Sequence, residues 1–252
     1  MPAPDDVRLA DLTWAEVEAA LDEGRRTAVV PVGSIEQHGP HLPLAMDTLY
    51  GEELAGRIAA RLGDALAAPA IRPGCSGHHM AFPGTITVPP ETLMDVIRGY
   101  CRSFDAHGFD HVALVPTHGG NFGPVTTVAP AVAREIDASV IPLADLDAHM
   151  RLLNEGLAAG GVDYEQTVVH AGAAETAIVL AIAADLVRSE AIEAGPEGEV
   201  SVARLLSEGF DGVTETGVLG DPGVATAEAG EAIVETVAEA YAARIEAERS
   251  TA

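Results

Sequence analysis

Apolar positions along this chain switch repeatedly between unbroken runs and a spacing of three to four. Residues 27–32 form an almost continuous apolar run and predict a buried strand. Leu49, Leu54 and Ile58 then fall at helical spacing and predict a helix over 47–61, with Asp47 at its start. The alternation continues with strands over 65–71, 85–88, 111–116 and 139–143. Helices are predicted over 14–21, with Thr13 as a possible N-cap, and over 91–104, with Leu93, Val96, Ile97 and Tyr100 on one face. Further helices are predicted over 122–136 and 175–187. Residues 190–199 are polar and Gly-containing and read as a surface loop. A last helix is predicted over 225–248, where Ile233, Val237, Tyr241 and Ile245 step every four residues. Such alternation argues for an α/β fold, a single domain over 1–252, with a mostly parallel sheet between helices on both faces. In a parallel sheet all strands end on the same side, so motifs that follow different strands can converge there.

Composition narrows the setting. Of 252 residues, 48% are hydrophobic and 4% aromatic, so the core is expected to be mostly Ala, Val, Leu and Ile. No run approaches the ~18 apolar residues that read as a membrane span. The first residues, Met1 to Asp6, lack the basic and apolar regions of a signal peptide. With only Cys75 and Cys101 present, a disulfide scaffold is not expected and a cytoplasmic location is the default. The net charge is -25, and all fourteen basic residues are Arg. Acids are spread along the chain rather than gathered in a tail. A high-GC codon bias gives such a composition, and so does adaptation to molar salt, where the Debye length falls to ~3 Å; we favour the second. Either way, nucleic acid and anionic membranes are poor partners for this surface.

The chemistry gathers at predicted strand ends. Glu36, His38 and Asp47 lie within twelve residues of one another in the loop after the first strand. Ser76-Gly77-His78-His79 follows the second strand. Thr117-His118-Gly119-Gly120-Asn121 follows the strand over 111–116, and His170-Ala171-Gly172 with Glu175-Thr176 opens an apolar helix. Imidazole and carboxylate ligands suit Zn, Mn or Fe, and an Asp can bridge two ions. A pair of ions ~3.5–4 Å apart can activate a bridging water as hydroxide and polarise a carbonyl. His170 is the candidate acid-base group for proton transfer to a leaving nitrogen. Glu175 is either a further ligand and site acid or a cap of its helix. Ser76, His78, Gly119 and Gly120 are candidate substrate contacts. His107, His111 and His149 lack neighbouring site residues and read as structural, and His41 as a stabiliser of its loop.

These motifs resemble the creatininase (creatinine amidohydrolase) family. The resemblance rests on Gly33-Ser34-Ile35-Glu36-Gln37-His38-Gly39-Pro40-His41-Leu42-Pro43, Asp47-Thr48, Ser76-Gly77-His78-His79 with Phe82-Pro83-Gly84-Thr85, His118-Gly119-Gly120-Asn121, and the segment from His170 to Thr176. It implies a three-layer α/β/α sandwich and a cytoplasmic metalloenzyme hydrolysing non-peptide C–N bonds. The substrate would be a small cyclic amide, amidine or formamide. It also implies two divalent ions per subunit and a homohexamer built as a trimer of dimers. By position, Glu36, Asp47 and His118 would hold one ion, and His38 and Asp47 the other. Creatininases proper carry a Glu ligand two residues after the counterpart of His118. Here that position is Gly120, and Glu175 is the candidate replacement. They also enclose the substrate ring with tryptophans from the second half of the chain, whereas the only Trp here is Trp14. Within the family, a formylaminopyrimidine-ribotide deformylase of flavin-type cofactor synthesis and a cofactor-maturation peptidase are alternatives. A non-catalytic metal-binding oligomer is the alternative outside catalysis.

Overall fold

Four parallel strands organise the described residues, lying side by side with the second in sequence next to the first, then the third and the fourth. The computed structural model describes residues 7–165, 170–198 and 200–250. Residues 1–6, on which the signal-peptide reading rests, and Glu199, the last position of the expected loop, lie outside the described residues. The strands are β1 (Thr27–Val32), β2 (Ala65–Ala67), β3 (His111–Pro116) and β4 (Ser139–Pro142). Register pairs Thr27 with His111 and runs in step to Val32 with Pro116.

The pleat sends alternate strand residues to opposite faces. Ala28, Val30, Val32, Val112 and Leu114 pack on one side against α1 (Trp14–Asp22), α3 (Pro90–Ala106) and α4 (Phe122–Val132). Val29, Ala113, Val115 and Ile141 pack on the other against α2 (Met46–Leu62), α5 (Leu146–Ala159), α6 (Ala173–Ile182) and α8 (Ala227–Arg249). The three-layer α/β/α sandwich is therefore present. A short α7 (Val202–Glu208) precedes a turn at Phe210–Gly212. Close approach of α8 to α6 depends on Gly230, where a Cβ would lie 1.8 Å from the Ala177 carbonyl oxygen.

Several elements differ from expectation for local reasons. The strand predicted over 65–71 ends at Ala67. Ala68 and Ile71 still donate N–H bonds to the Val29 and Pro31 carbonyls, but Pro69 between them has no N–H to offer the ladder. The segment 85–88 joins no strand and makes only isolated bridges, Ile86 with Ile35 and Thr87 with Gly74. The helix expected over 175–187 begins at Ala173 and stops at Ile182, and a short 3-10 turn at Ala184–Leu186 covers the rest. Likewise α4 stops at Val132, two residues after Pro130. One helix, α5, has no counterpart among the expected elements. Its signals are Asp145, whose side chain caps Ala148 N–H, and the buried spacing of His149, Leu153 and Leu157. No helix among the described residues is long and apolar enough to cross a membrane.

Candidate active site

The C-terminal ends of β1 and β3, with the chain beyond β2, bring the predicted clusters together. The loop leaving β1 carries Glu36 and His38 and ends at Asp47 in the first turn of α2. His118 follows β3, and Ser76, His78 and His79 lie in the connection after β2. Glu175 comes from the first turn of α6, with His170 just ahead of it. Asn121 ties the loops to one another: its amide donates to the Val32 and Gly33 carbonyls at 3.1 and 2.9 Å and its oxygen accepts from Cys75 N–H at 2.9 Å.

Two groups of ligand atoms share Asp47. Glu36, Asp47 and His118 form one, and His38, Asp47 and Glu175 the other, with the atoms of each group within 4.8 Å of one another. His118 Nδ1 lies 3.1 Å from Glu36 Oε1 and 3.7 Å from Asp47 Oδ2. His38 Nε2 lies 3.6 Å from Asp47 Oδ1 and 3.7 Å from Glu175 Oε2. Each imidazole has its outer nitrogen beside a backbone carbonyl, His38 Nδ1 at 3.2 Å from Glu36 O and His118 Nε2 at 3.1 Å from Cys75 O. An N–H held this way turns the other nitrogen inward as a ligand does. His38 Nε2 and Asp47 Oδ2 are buried and have no hydrogen-bond partner. Orphaned buried donors and acceptors are rare, so this donor set fits divalent ions.

The electrostatics agree. Burial opposes charge on His38, yet Asp47 and Glu175 raise its pKa to about 10. Burial likewise opposes charge on His118, but Glu36 and Asp47 raise it to about 9. Burial alone would push Glu36 up, but His118, His79 and His38 hold it well below the usual carboxylate range. Burial raises Glu175 despite His38 beside it. Without a metal, protons on His38 and His118 thus balance the carboxylates. A divalent ion at each place would supply two positive charges where each proton supplies one.

The creatininase (creatinine amidohydrolase) family model matches residues 10–245. The chain belongs to the creatininase family. It is 35% identical to the mycofactocin precursor peptide peptidase of Mycolicibacterium smegmatis, over 86% of this chain and 83% of that protein. It is 28% identical to the creatinine amidohydrolase of Pseudomonas putida, over 96% of this chain and 97% of that one. A crystal structure of creatinine amidohydrolase matches with a TM-score of 0.84 at 26% identity, covering 97% of this chain and 98% of the other. Solved creatininases include Zn-Zn and Mn forms.

As a member of the creatininase family this chain has a backbone that accommodates its own departures. A Cβ at Gly120 would lie 2.3 Å from the Cys75 carbonyl and 2.6 Å from His118 Nε2, so no side chain fits there as the loop stands. Glu175 makes two contacts of note. Its carboxylate accepts the Ala171 N–H just before α6 and also reaches His38. Ala171 makes this possible from a left-handed conformation, φ 52°, which is uncommon for a residue with a Cβ. His170 is buried, and its Nδ1 lies 3.9 Å from Glu36 Oε1. Burial, with His79 and His38 nearby, keeps its pKa well below the ordinary range, so the ring is neutral.

Among the expected substrate contacts, Ser76 is fully buried, with its hydroxyl 2.6 Å from Ser34 Oγ and 3.4 Å from His118 Nε2. His78 and Gly120 instead line an open groove of about 540 Å³ with Cys75, Thr87 and Pro89. Gly119 lines a separate cavity of about 50 Å³ with Tyr50, His149 and Glu175. His41 bonds Thr176 Oγ1 at 2.9 Å, and His149 bonds Tyr241 OH at 2.8 Å, in keeping with structural roles.

Sequence reasoning gave no role to three residues. His79, rather than His78, faces Glu36, with Nε2 at 3.3 Å from Oε1. Gln37 touches both His79 and His170. Phe210 stacks on His79 and meets His170 at a tilt of 56°, with ring centroids 4.1 and 4.4 Å away. The His78-His79 pair was visible, but which ring turns inward depends on the 3-10 turn at Gly77–His79. Phe210 supplies an aromatic from the second half of the chain, where no Trp exists.

Proposed function

We propose that this creatininase-family hydrolase binds two divalent ions and cleaves an amide bond near the end of a short peptide. The observation that carries the metal reading is the pair of ligand groups meeting at Asp47, with His38 Nε2 and Asp47 Oδ2 buried and unpartnered. Glu36, Asp47 and His118 would hold one ion, and His38, Asp47 and Glu175 the other. When bound, such a pair polarises the amide carbonyl and lowers the pKa of water. The chain's own residues do the rest. His170 turns Nδ1 toward the site from a neutral ring, where it accepts a proton and returns it to the leaving nitrogen. Phe210 packs against His79 and His170 and excludes water from that side.

The peptide reading is supported by the 35% identity to a precursor peptide peptidase and by the open groove beside His78 and Gly120. A small cyclic amide is the second reading, favoured by the structural match to creatinine amidohydrolase. Aromatic pairs contribute ~0.5–1.5 kcal/mol beyond area burial, and the only Trp, Trp14, is 79% exposed on α1, which disfavours a flat ring such as creatinine. The test is a panel of short peptides, cyclic amides and formamides assayed with zinc- or manganese-loaded protein, with and without chelator. Chelator-sensitive hydrolysis of peptides, with creatinine turned over below ~10⁴ M⁻¹s⁻¹, is the expected result. Turnover of creatinine in the ordinary enzyme range with inert peptides would overturn the substrate assignment.

A further inference from the structure

Gln37 stands between two metal-ligand candidates in the chain, yet its own side chain points at neither Asp47 nor Glu175. It is buried, with 4% exposure, and both ends of its carboxamide are engaged. Oε1 accepts the Gly39 N–H at 2.9 Å. Nε2 donates toward His79 Nδ1 at 3.0 Å and the Gly217 carbonyl at 3.4 Å; His170 Nε2, 2.8 Å away, has the Gln37 backbone carbonyl at 2.9 Å as its own acceptor, which leaves His170 Nδ1 unprotonated in the neutral ring. A backbone N–H on one side and a backbone carbonyl on the other leave only one orientation of the amide: oxygen toward Gly39, NH₂ toward the imidazoles. Gly217 leaves the room this arrangement needs, since a Cβ there would lie 1.9 Å from Gln37 Oε1.

The consequence falls on His79. A nitrogen that receives an N–H cannot carry one in the neutral ring, so His79 Nδ1 is the acceptor and the proton is on Nε2. That nitrogen lies 3.3 Å from Glu36 Oε1. Ser34 Oγ donates to the other oxygen of the same carboxylate at 3.1 Å and is itself 2.6 Å from Ser76 Oγ. His38 and His118 have their outer nitrogens beside backbone carbonyls and turn the inner one to the site. His79 has the opposite polarity: it presents a donor inward. Phe210, stacked at 4.1 Å, keeps its ring in plane.

We propose that Gln37 and His79 form a positioning pair that fixes the His79 tautomer and thereby aims the Glu36 carboxylate at its ion. The inference rests on the metal reading for what Glu36 holds, but not for the tautomer. Hydrogen-bond partners behind a metal ligand typically change metal affinity or activity ~10–100-fold.

The experiment combines a spectrum with an affinity series. In protein labelled with ¹⁵N-histidine, metal-free and zinc-loaded, His79 is identified by its loss in His79→Phe. It should show an unprotonated Nδ1 and a protonated Nε2, and a protonated Nδ1 would overturn the proposal. Zinc affinity is then read by chelator competition. Gln37→Glu keeps the size of the side chain but offers only acceptors, so it should reverse the tautomer and weaken one ion ~10–100-fold. His79→Phe keeps the stacking on Phe210 but removes the donor and should do the same. His79→Gln restores an N–H near Nε2 and should recover most of the loss, and Gln37→Met covers the case in which Gln37→Glu does not fold. Equal affinities across variants of wild-type melting temperature would refute the positioning role. A wild-type protein that binds no divalent ion would refute the metal reading instead, and the nitrogen spectrum would still decide the tautomer.

Discussion

Loading the metal-free protein with two zinc ions at pH 8 is expected to release about two protons. The perturbation replaces a proton on His38 and another on His118, whose pKa values are raised to about 10 and about 9 by the carboxylates around them. Metal ligands must be deprotonated, so each ion competes with a proton. One pKa unit is ~1.4 kcal/mol, so at pH 8 the His38 proton costs its ion about 3 kcal/mol and the His118 proton about 1 kcal/mol. Apparent affinity should therefore strengthen about tenfold per pH unit at each site below the imidazole's pKa and level off above it. Calorimetric titration in buffers of different ionisation enthalpy counts the protons directly. Stability carries the same signature. Both rings bind their protons more tightly folded than unfolded, where the pKa is ~6.5. Their contribution is complete below about pH 6.5 and lost as pH rises through about 9 for His118 and about 10 for His38. Metal-free protein should lose melting temperature across that window, and zinc-loaded protein, with the inner nitrogen of each ring bound to metal instead of a proton, should not. Release of well under one proton per pair of ions would refute the assignment of these imidazoles as ligands.

Asp47→Ala should remove both ions, because both ligand groups include Asp47; elemental analysis that still finds two ions per chain would contradict a shared carboxylate. His170→Ala should keep its metal and lose ~10²–10⁴-fold in kcat, and loss of metal in that variant would make His170 a ligand instead. Gly230→Ala should destabilise the fold by ~1–3 kcal/mol, read from the urea midpoint, since its Cβ would meet the Ala177 carbonyl at 1.8 Å and force α8 away from α6. The net charge of -25 predicts a melting temperature that climbs from ~0.01 to ~1 M KCl as the Debye length falls from ~30 to ~3 Å; a flat response would return the composition to codon bias.

Strand-helix alternation was legible because burial on both faces makes parallel strands continuous apolar runs, and Val29, Val30, Val112 and Leu114 are all fully buried. The metal-ligand candidates were legible because Glu36, His38 and Asp47 crowd one short loop and His118 and Glu175 sit in equally dense motifs. Residues whose role depends on direction were not. Whether His78 or His79 faces Glu36 is decided by a single 3-10 turn, and periodicity carries no information about it. That Glu175 reaches both the Ala171 N–H and His38 depends on the left-handed Ala171. Gln37 reads as an unremarkable amide in the chain. Its function comes from Gly39 beside it and Gly217 and His79 far away, and only their meeting in space sets which end of the amide faces which ring. Composition and pattern act through averaged burial, which a linear chain records. Hydrogen-bond polarity depends on the relative orientation of groups brought together by folding, and that exists only once the layers have packed.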